Sequence, residues 1–205
     1  MLFNYQVTNF FLSVPSFKDL PNDRGIEVAF LGYSNVGKSS VINNITNQKK
    51  LARTSKIPGS TKLINIFQIS EGYRLVDFPG YGYTATISKK LQFQWKHTLD
   101  IYLKNRRSLK GIIVIMDIRY PFKLFDELII RRAVKYAIPV LLLLNKADKY
   151  SLFKRKKQLD FVRQKISMMF IRDEDVQVDF FSSRKKMGIE NIHRKLDNWF
   201  NFFLN

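Results

Sequence analysis

Ile26-Glu27-Val28-Ala29-Phe30-Leu31-Gly32-Tyr33-Ser34-Asn35-Val36-Gly37-Lys38-Ser39 decides how this chain is to be read. An apolar run enters a glycine-bounded octapeptide, and the residues beyond it follow a helical pattern, the strand-loop-helix setting of a phosphate-binding loop. Gly32 and Gly37 let the backbone curl so that successive N–H groups face an anion, and the helix start adds the positive end of its dipole. In that setting Lys38 reaches the β- and γ-phosphates and Ser39 takes Mg²⁺. Binding of a nucleoside triphosphate is the first expectation.

The base is read at the other end of the nucleotide. Asn145-Lys146-Ala147-Asp148 directly follows the apolar run 140–144, and the Asp148 carboxylate can accept from both N1–H and the exocyclic amine of guanine. Adenine lacks that donor pair and would leave polar groups unpaired. Between the two motifs, Asp77-Phe78-Pro79-Gly80 ends an apolar strand, so that Asp77 can hold a Mg²⁺-bound water and the Gly80 amide can face the γ-phosphate. Thr61, in Pro58-Gly59-Ser60-Thr61, falls in the polar stretch upstream and is placed as a second Mg²⁺ ligand that orders when γ-phosphate is present. Phe181-Ser182-Ser183 closes a later strand, where backbone amides can touch guanine O6. These elements, in this order, make a GTPase domain.

Strands are expected over 26–32, 63–69, 73–77, 111–117, 139–145 and 176–182, and helices over 38–47, 89–105, 124–137, 153–170 and 188–203. The alternation predicts an α/β fold, a three-layer P-loop domain with a mostly parallel six-stranded sheet and helices on both faces. Ser70-Glu71-Gly72 is too short for a crossover, so the flanking strands form an antiparallel hairpin, expected at one edge of the sheet. Residues 1–22 read as an N-terminal extension packing on the domain formed by 23–205. The stripe Ile189, Ile192, Leu196, Trp199, Phe200 and Phe203 reads as core.

At 205 residues and 45% hydrophobic content the chain suits one domain. The absence of Cys excludes a disulfide framework, Cys-ligated zinc and a thiol nucleophile. His97 and His193 lie far apart and read as helix residues rather than a metal pair. With neither a long apolar run nor a signal-peptide pattern at the start, a cytoplasmic monomer away from the membrane is expected.

The chain is similar to the EngB (YihA/YsxC) family of small bacterial GTPases, of the TrmE-Era-EngA-EngB-Septin-like superfamily. The likeness is carried by residues 32–40, by Leu51-Ala52-Arg53-Thr54-Ser55-Lys56, by Val76-Asp77-Phe78-Pro79-Gly80-Tyr81-Gly82-Tyr83 and by Phe181-Ser182-Ser183. It runs from about Phe11 to Phe203. The resemblance implies that 23–205 is an EngB-type G domain that binds GTP and GDP with Mg²⁺ and hydrolyses GTP slowly. It also implies association with the large ribosomal subunit during assembly, with rRNA as a partner, and a link to cell division and septation. Nucleotide contacts are implied from Gly59, Ser60, Thr61, Lys62 and Leu63 besides the phosphate loop, Asp77 to Gly80, Asn145 to Asp148 and Phe181 to Ser183. The chain departs from the family pattern at Tyr33 and Ser60, where Arg is usual.

No catalytic residue is assigned. Tyr81 follows Gly80 where Ras-like enzymes place a water-orienting Gln, so hydrolysis is expected to be slow without a partner or a cation. Asn35 carries two readings: it resembles the potassium ligand of cation-activated GTPases, or it simply supports its own loop.

The net charge is +18, from 35 Lys and Arg against 17 Asp and Glu, with a pI near 10.1. Such a field favours RNA, without the groove chemistry that reads DNA sequence. Basic residues recur at Lys49-Lys50-Arg53-Lys56, Lys104-Arg106-Arg107-Lys110, Arg131-Arg132-Lys135, Lys154-Arg155-Lys156-Lys157 and Arg184-Lys185-Lys186. A Lys-rich composition imposed by an AT-rich genome is the plain alternative. From another class, the rival is a basic RNA-binding structural protein with a vestigial nucleotide site.

Overall fold

Alternation along Ile26–Gly32 builds the centre of the molecule. In the computed structural model, which describes residues 3–54, 63–81, 89–170 and 176–202, this strand is wholly buried. Val28 and Phe30 point into one apolar cluster and Ala29 and Leu31 into the other. A strand sandwiched in this way needs apolar residues on both faces, which is why it reads as a continuous run.

The strands are β1 (Asn9–Val14), β2 (Ile26–Gly32), β3 (Ile64–Ser70), β4 (Tyr73–Asp77), β5 (Leu109–Asp117), β6 (Val140–Asn145) and β7 (Val176–Phe180). The helices are α1 (Lys38–Ile45), α2 (Lys89–Asn105), α3 (Leu124–Lys135), α4 (Leu152–Met169) and α5 (Ile189–Phe202). The sheet order is β1-β3-β4-β2-β5-β6-β7. Only β3 runs against the rest, antiparallel to both β1 and β4. Residues of α1 and α5 fill the cluster on one face, and residues of α2, α3 and α4 the cluster on the other. The three-layer α/β architecture agrees with the expectation from sequence.

Two details differ. The sheet has seven strands, and the β3–β4 hairpin is not at the edge, because β1 lies outside β3 with Phe10 opposite Phe67 and Val14 opposite Ile64. Asn9-Phe10-Phe11-Leu12-Ser13-Val14 lacks strict alternation, and the register shifts between Phe10 and Leu12, so no period of two was there to be read. The preceding residues are tied down as well: Tyr5 donates to Asp197 Oδ1 (2.7 Å) and stacks on His193, their centroids 4.4 Å apart.

Of the C-terminal stripe, Ile192, Leu196, Trp199 and Phe200 are buried and Ile189 packs against them, while Phe203 lies outside the described residues. His193 is a buried helix residue whose Nε2 meets the Ile45 carbonyl at 2.7 Å, and His97 stacks on Phe93.

Candidate functional site

The phosphate loop, the Asp77 segment and the base motif all lie just past the C-terminal ends of β2, β4 and β6, where open α/β sheets place their ligands. Gly37 caps α1 with φ +98°, a left-handed conformation that side chains resist, and a Cβ there would lie 2.5 Å from Asn145 Nδ2. Glycine at 37 thus serves the turn and admits the base motif together. The first-turn amides of α1 have no acceptor within the helix, and in a loop of this kind such amides are available to an anion.

Lys38 is buried, and its Nζ is paired with Asp77 Oδ1 at the end of β4. Ser39 follows on the first turn of α1. A serine hydroxyl and a carboxylate are hard-oxygen donors of the kind that suit Mg²⁺ completed by phosphate and water. Thr61, Gly59, Ser60 and Lys62 lie outside the described residues, and Leu63 is an exposed residue just before β3.

Gly80 lies against the phosphate loop: Ser34 Oγ donates to its carbonyl (3.3 Å), and a Cβ on it would come within 3.1 Å of Ser34 Cα. Beyond it, Tyr81 N donates to Gly32 O (3.2 Å) and Ser34 N to Tyr81 O (2.7 Å). Phe78 is buried and Pro79 half-buried.

The base motif is bolted to the phosphate loop. Asn145 Nδ2 donates to Val36 O (2.8 Å), its Oδ1 accepts from Lys146 N (2.7 Å), and Lys146 Nζ reaches Asn35 O (2.9 Å). Lys146 also pairs with Asp117 Oδ2 at 3.0 Å. Burial pushes the Asp117 carboxyl up, but hydrogen bonds from Arg119 and Lys146 outweigh it and hold the group well below the usual carboxylate range. Asp117 was not singled out from sequence; its place at the end of the apolar run 111–117 was the available signal.

Asp148 accepts from Ser182 Oγ (2.6 Å), and that hydroxyl keeps its carboxylate ionised below the ordinary range. Phe181 bridges β6 and the base loop, its N donating to Leu144 O (2.9 Å) and its O accepting from Ala147 N (3.0 Å), which closes the serine segment on the base loop. Ser183, half-buried, follows.

Asn35 has φ +65° and is exposed. Asn tolerates that left-handed conformation better than most residues, which suits the loop reading of Asn35.

Sequence reasoning missed the cluster behind the loop. Tyr33, Tyr81, Trp95 and Phe125 form a ring contact network, Tyr33 to Tyr81 at 4.6 Å and Tyr81 to Trp95 at 5.2 Å between centroids. Tyr33 OH accepts from Phe125 N (3.1 Å). Tyr81 is fully buried and its hydroxyl donates to Asp126 Oδ1 (2.7 Å), so its side chain is engaged away from the phosphate side. Burial raises the Asp126 carboxyl to about 6, against the hydrogen bonds from Tyr81 and from Lys123 N.

In the folded state Asp126 therefore holds its proton to higher pH than in the unfolded chain, where a carboxyl titrates near 3.9. More protons bound when folded means stability falls as pH rises through this window. The stability difference between the parent and Asp126→Asn is expected to move in the variant's favour between about pH 4 and 6 and to level off above it. Urea unfolding at matched ionic strength checks this; a pH-independent difference would rule it out.

Two corrections concern the basic clusters. Arg106 is buried and bonded to Glu27, and Arg155 is half-buried, its Nε donating to Ala147 O (2.7 Å) and Tyr150 O (2.9 Å). Neither is part of a free basic surface.

A family model described as "50S ribosome-binding GTPase" matches residues 27–146. The chain is 51% identical to the probable GTP-binding protein EngB of Pectobacterium carotovorum, over 97% of this chain and 92% of the relative. To that of Escherichia coli O157:H7 (strain EC4115) it is 52% identical over the same shares. A crystal structure of a probable GTP-binding protein engB superposes with TM-score 0.66 at 21% identity, covering 85% of this chain and 98% of the other.

Proposed function

From the premise that this chain belongs to the EngB family of GTP-binding proteins, we propose that it is a Mg²⁺-dependent GTPase serving as a switch in large ribosomal subunit assembly. In the same reading it is needed for normal cell division and septation. The observation that carries the nucleotide reading is the bond network joining Asn145, Lys146 and Asp148 to Val36, Asn35 and Ser182. Such a network would hold a guanine acceptor at a fixed distance from a phosphate loop.

In this reading Lys38 and the amides of residues 35–39 bind the phosphates, and Ser39, Thr61 and, through water, Asp77 hold Mg²⁺. The metal supplies charge neutralisation at the β- and γ-oxygens. Gly80 has no Cβ, so its backbone can approach Ser34 and, with GTP, swing its amide toward the γ-phosphate. Tyr81 is spent on Asp126 and positions no water, so hydrolysis by the chain alone is slow. Asn35 is the candidate potassium ligand, with a faster rate in K⁺ than in Na⁺ at matched ionic strength as the expected result. Equal rates would leave Asn35 to its loop role alone.

The net charge of +18 supports an rRNA-bearing partner, contacted from the cytoplasm by a monomer. Sedimentation of the protein with large ribosomal subunits tests the switch. Stronger association with a nonhydrolysable GTP analogue than with GDP is expected, and equal association in every nucleotide state would favour the RNA-binding structural protein instead.

A further inference from the structure

α4 presents to solvent a face that packing inside the molecule does not explain. Val162 and Ile166 anchor the helix in the core. On the other side Phe153 is 67% and Phe161 48% exposed, with Leu152 and Met168 also exposed. Among them stand Lys154, Lys156, Lys157 and Arg163, all exposed, against one acid, Asp160. Lys157 Nζ sits 4.7 Å from the centre of the Phe153 ring. Arg184, Lys185 and Lys186 are exposed on the neighbouring loop, which touches α4 where Arg155 Nη1 approaches Met187 Sδ (3.6 Å).

Exposed apolar side chains grouped on one helix face mark a candidate interaction surface. Here the covering group must also satisfy a dense positive charge. Unpaired nucleic acid does both, since its bases stack on aromatic rings while its phosphates meet the flanking cations. Phe153 and Phe161 lie about 12 Å apart along the helix, room for separate bases between phosphate contacts. A duplex hides its bases in its own stack and cannot use the rings. A membrane surface fits less well, because Asp160 and Gln164 interrupt the apolar residues and no continuous stripe forms.

We propose that the outer face of α4, with the loop Arg184 to Lys186, docks a single-stranded segment of RNA, Phe153 and Phe161 stacking on bases and Lys154, Lys156, Lys157 and Arg163 meeting phosphates. This rests on the ribosomal reading above and gives it a surface. The bonds from Arg155 to Ala147 and Tyr150 fix the first turn of α4 to the base loop, so the RNA lies beside the guanine end of the site.

The test titrates the full chain into labelled oligouridine and into a duplex of the same length. Phe153→Ala is expected to weaken oligouridine binding about fivefold or more and to leave the salt dependence unchanged. Lys156→Glu with Lys157→Glu is expected to weaken it further and to flatten the log–log salt slope by about 1.4. Lys49→Glu with Lys50→Glu, the same charge change beyond α1 on the opposite layer, is the control and is expected to do less. The proposal is overturned if Phe153→Ala binds like the parent, if the control pair matches the α4 pair, if duplex is preferred, or if anionic vesicles are bound more tightly than oligouridine. Failure of the ribosomal reading looks different: the parent then fails to sediment with large subunits. Failure of the α4 surface alone leaves the parent and Phe153→Ala sedimenting equally.

Discussion

Asp148→Asn is expected to lose GTP by about 10²- to 10⁴-fold and to gain xanthosine triphosphate. The carboxylate would accept two hydrogen bonds from guanine, each worth about 1.5–3 kcal/mol when the acceptor is charged. An amide can accept from N1–H, but its NH₂ then confronts the guanine amine, donor against donor. Xanthine carries a carbonyl at that position and restores the pair. Folding is expected to survive, because the Asn oxygen can still accept from Ser182 Oγ, which now lies 2.6 Å from Asp148 Oδ1. Competition titrations of a fluorescent guanine nucleotide by GTP and by xanthosine triphosphate decide the matter. Parent-like GTP affinity in the variant would remove Asp148 from base reading.

The second large effect is on stability, at the far end of the same sheet. Glu27 is fully buried and its carboxylate accepts from Arg106 Nε (2.9 Å) and Nη2 (2.6 Å) and from Tyr102 OH (3.2 Å), with Arg74 Nε 3.0 Å away. Arg106 itself continues to Pro21 O (2.9 Å). Glu27→Ala takes the counter-charge from buried Arg74 and leaves buried Arg106 with Asp23 alone, 3.5 Å away, a cost of about 3–5 kcal/mol. For a chain of this size that is a fall in Tm of roughly 10 °C. Glu27 stands at the opposite end of β2 from Gly32, about 17 Å away at 3.3 Å per residue, so the molecules that remain folded are expected to bind nucleotide as the parent does. Scanning calorimetry beside nucleotide titration at low temperature separates the two; a Tm within a degree or two of the parent would show that the charges find water instead.

What could be read from the sequence was what local chemistry dictates. Gly37, Lys38, Asp77, Asn145 and Asp148 stand out because their types and spacing are those that a phosphate, a metal or a guanine would demand, and all lie at or beyond the C-terminal ends of β2, β4 and β6. The buried sheet was legible because strands covered on both faces are continuously apolar. β1 was not, because an edge strand with a register shift has no period, and its partner Ile64–Ser70 is far along the chain. The Tyr33, Tyr81, Trp95 and Phe125 cluster was hidden for the same reason: its four residues come from four segments, and only the fold brings them together. Arg106 was misread as surface charge because a Lys/Arg run looks alike whether or not Glu27 waits beneath it.

The seat of α5 sets the order in which a newly made chain can finish. Glu27 must wait for Leu109 to be synthesised before β2 gains its second neighbour, a delay on the order of 4–16 s at the usual pace of translation. Even then Val28, Phe30, Ile113 and Ile115 present one bare face alongside α1, because Leu196, Trp199 and Phe200 cover it only once α5 has emerged. The fit is close: a Cβ on Gly111 would lie 2.6 Å from the Trp199 ring, so β5 and α5 meet backbone against indole. A nascent chain therefore carries a sticky sheet until α5 is released, and one truncated before Trp199 keeps it for good. Its own uncovered surface marks such a product for chaperones and proteases.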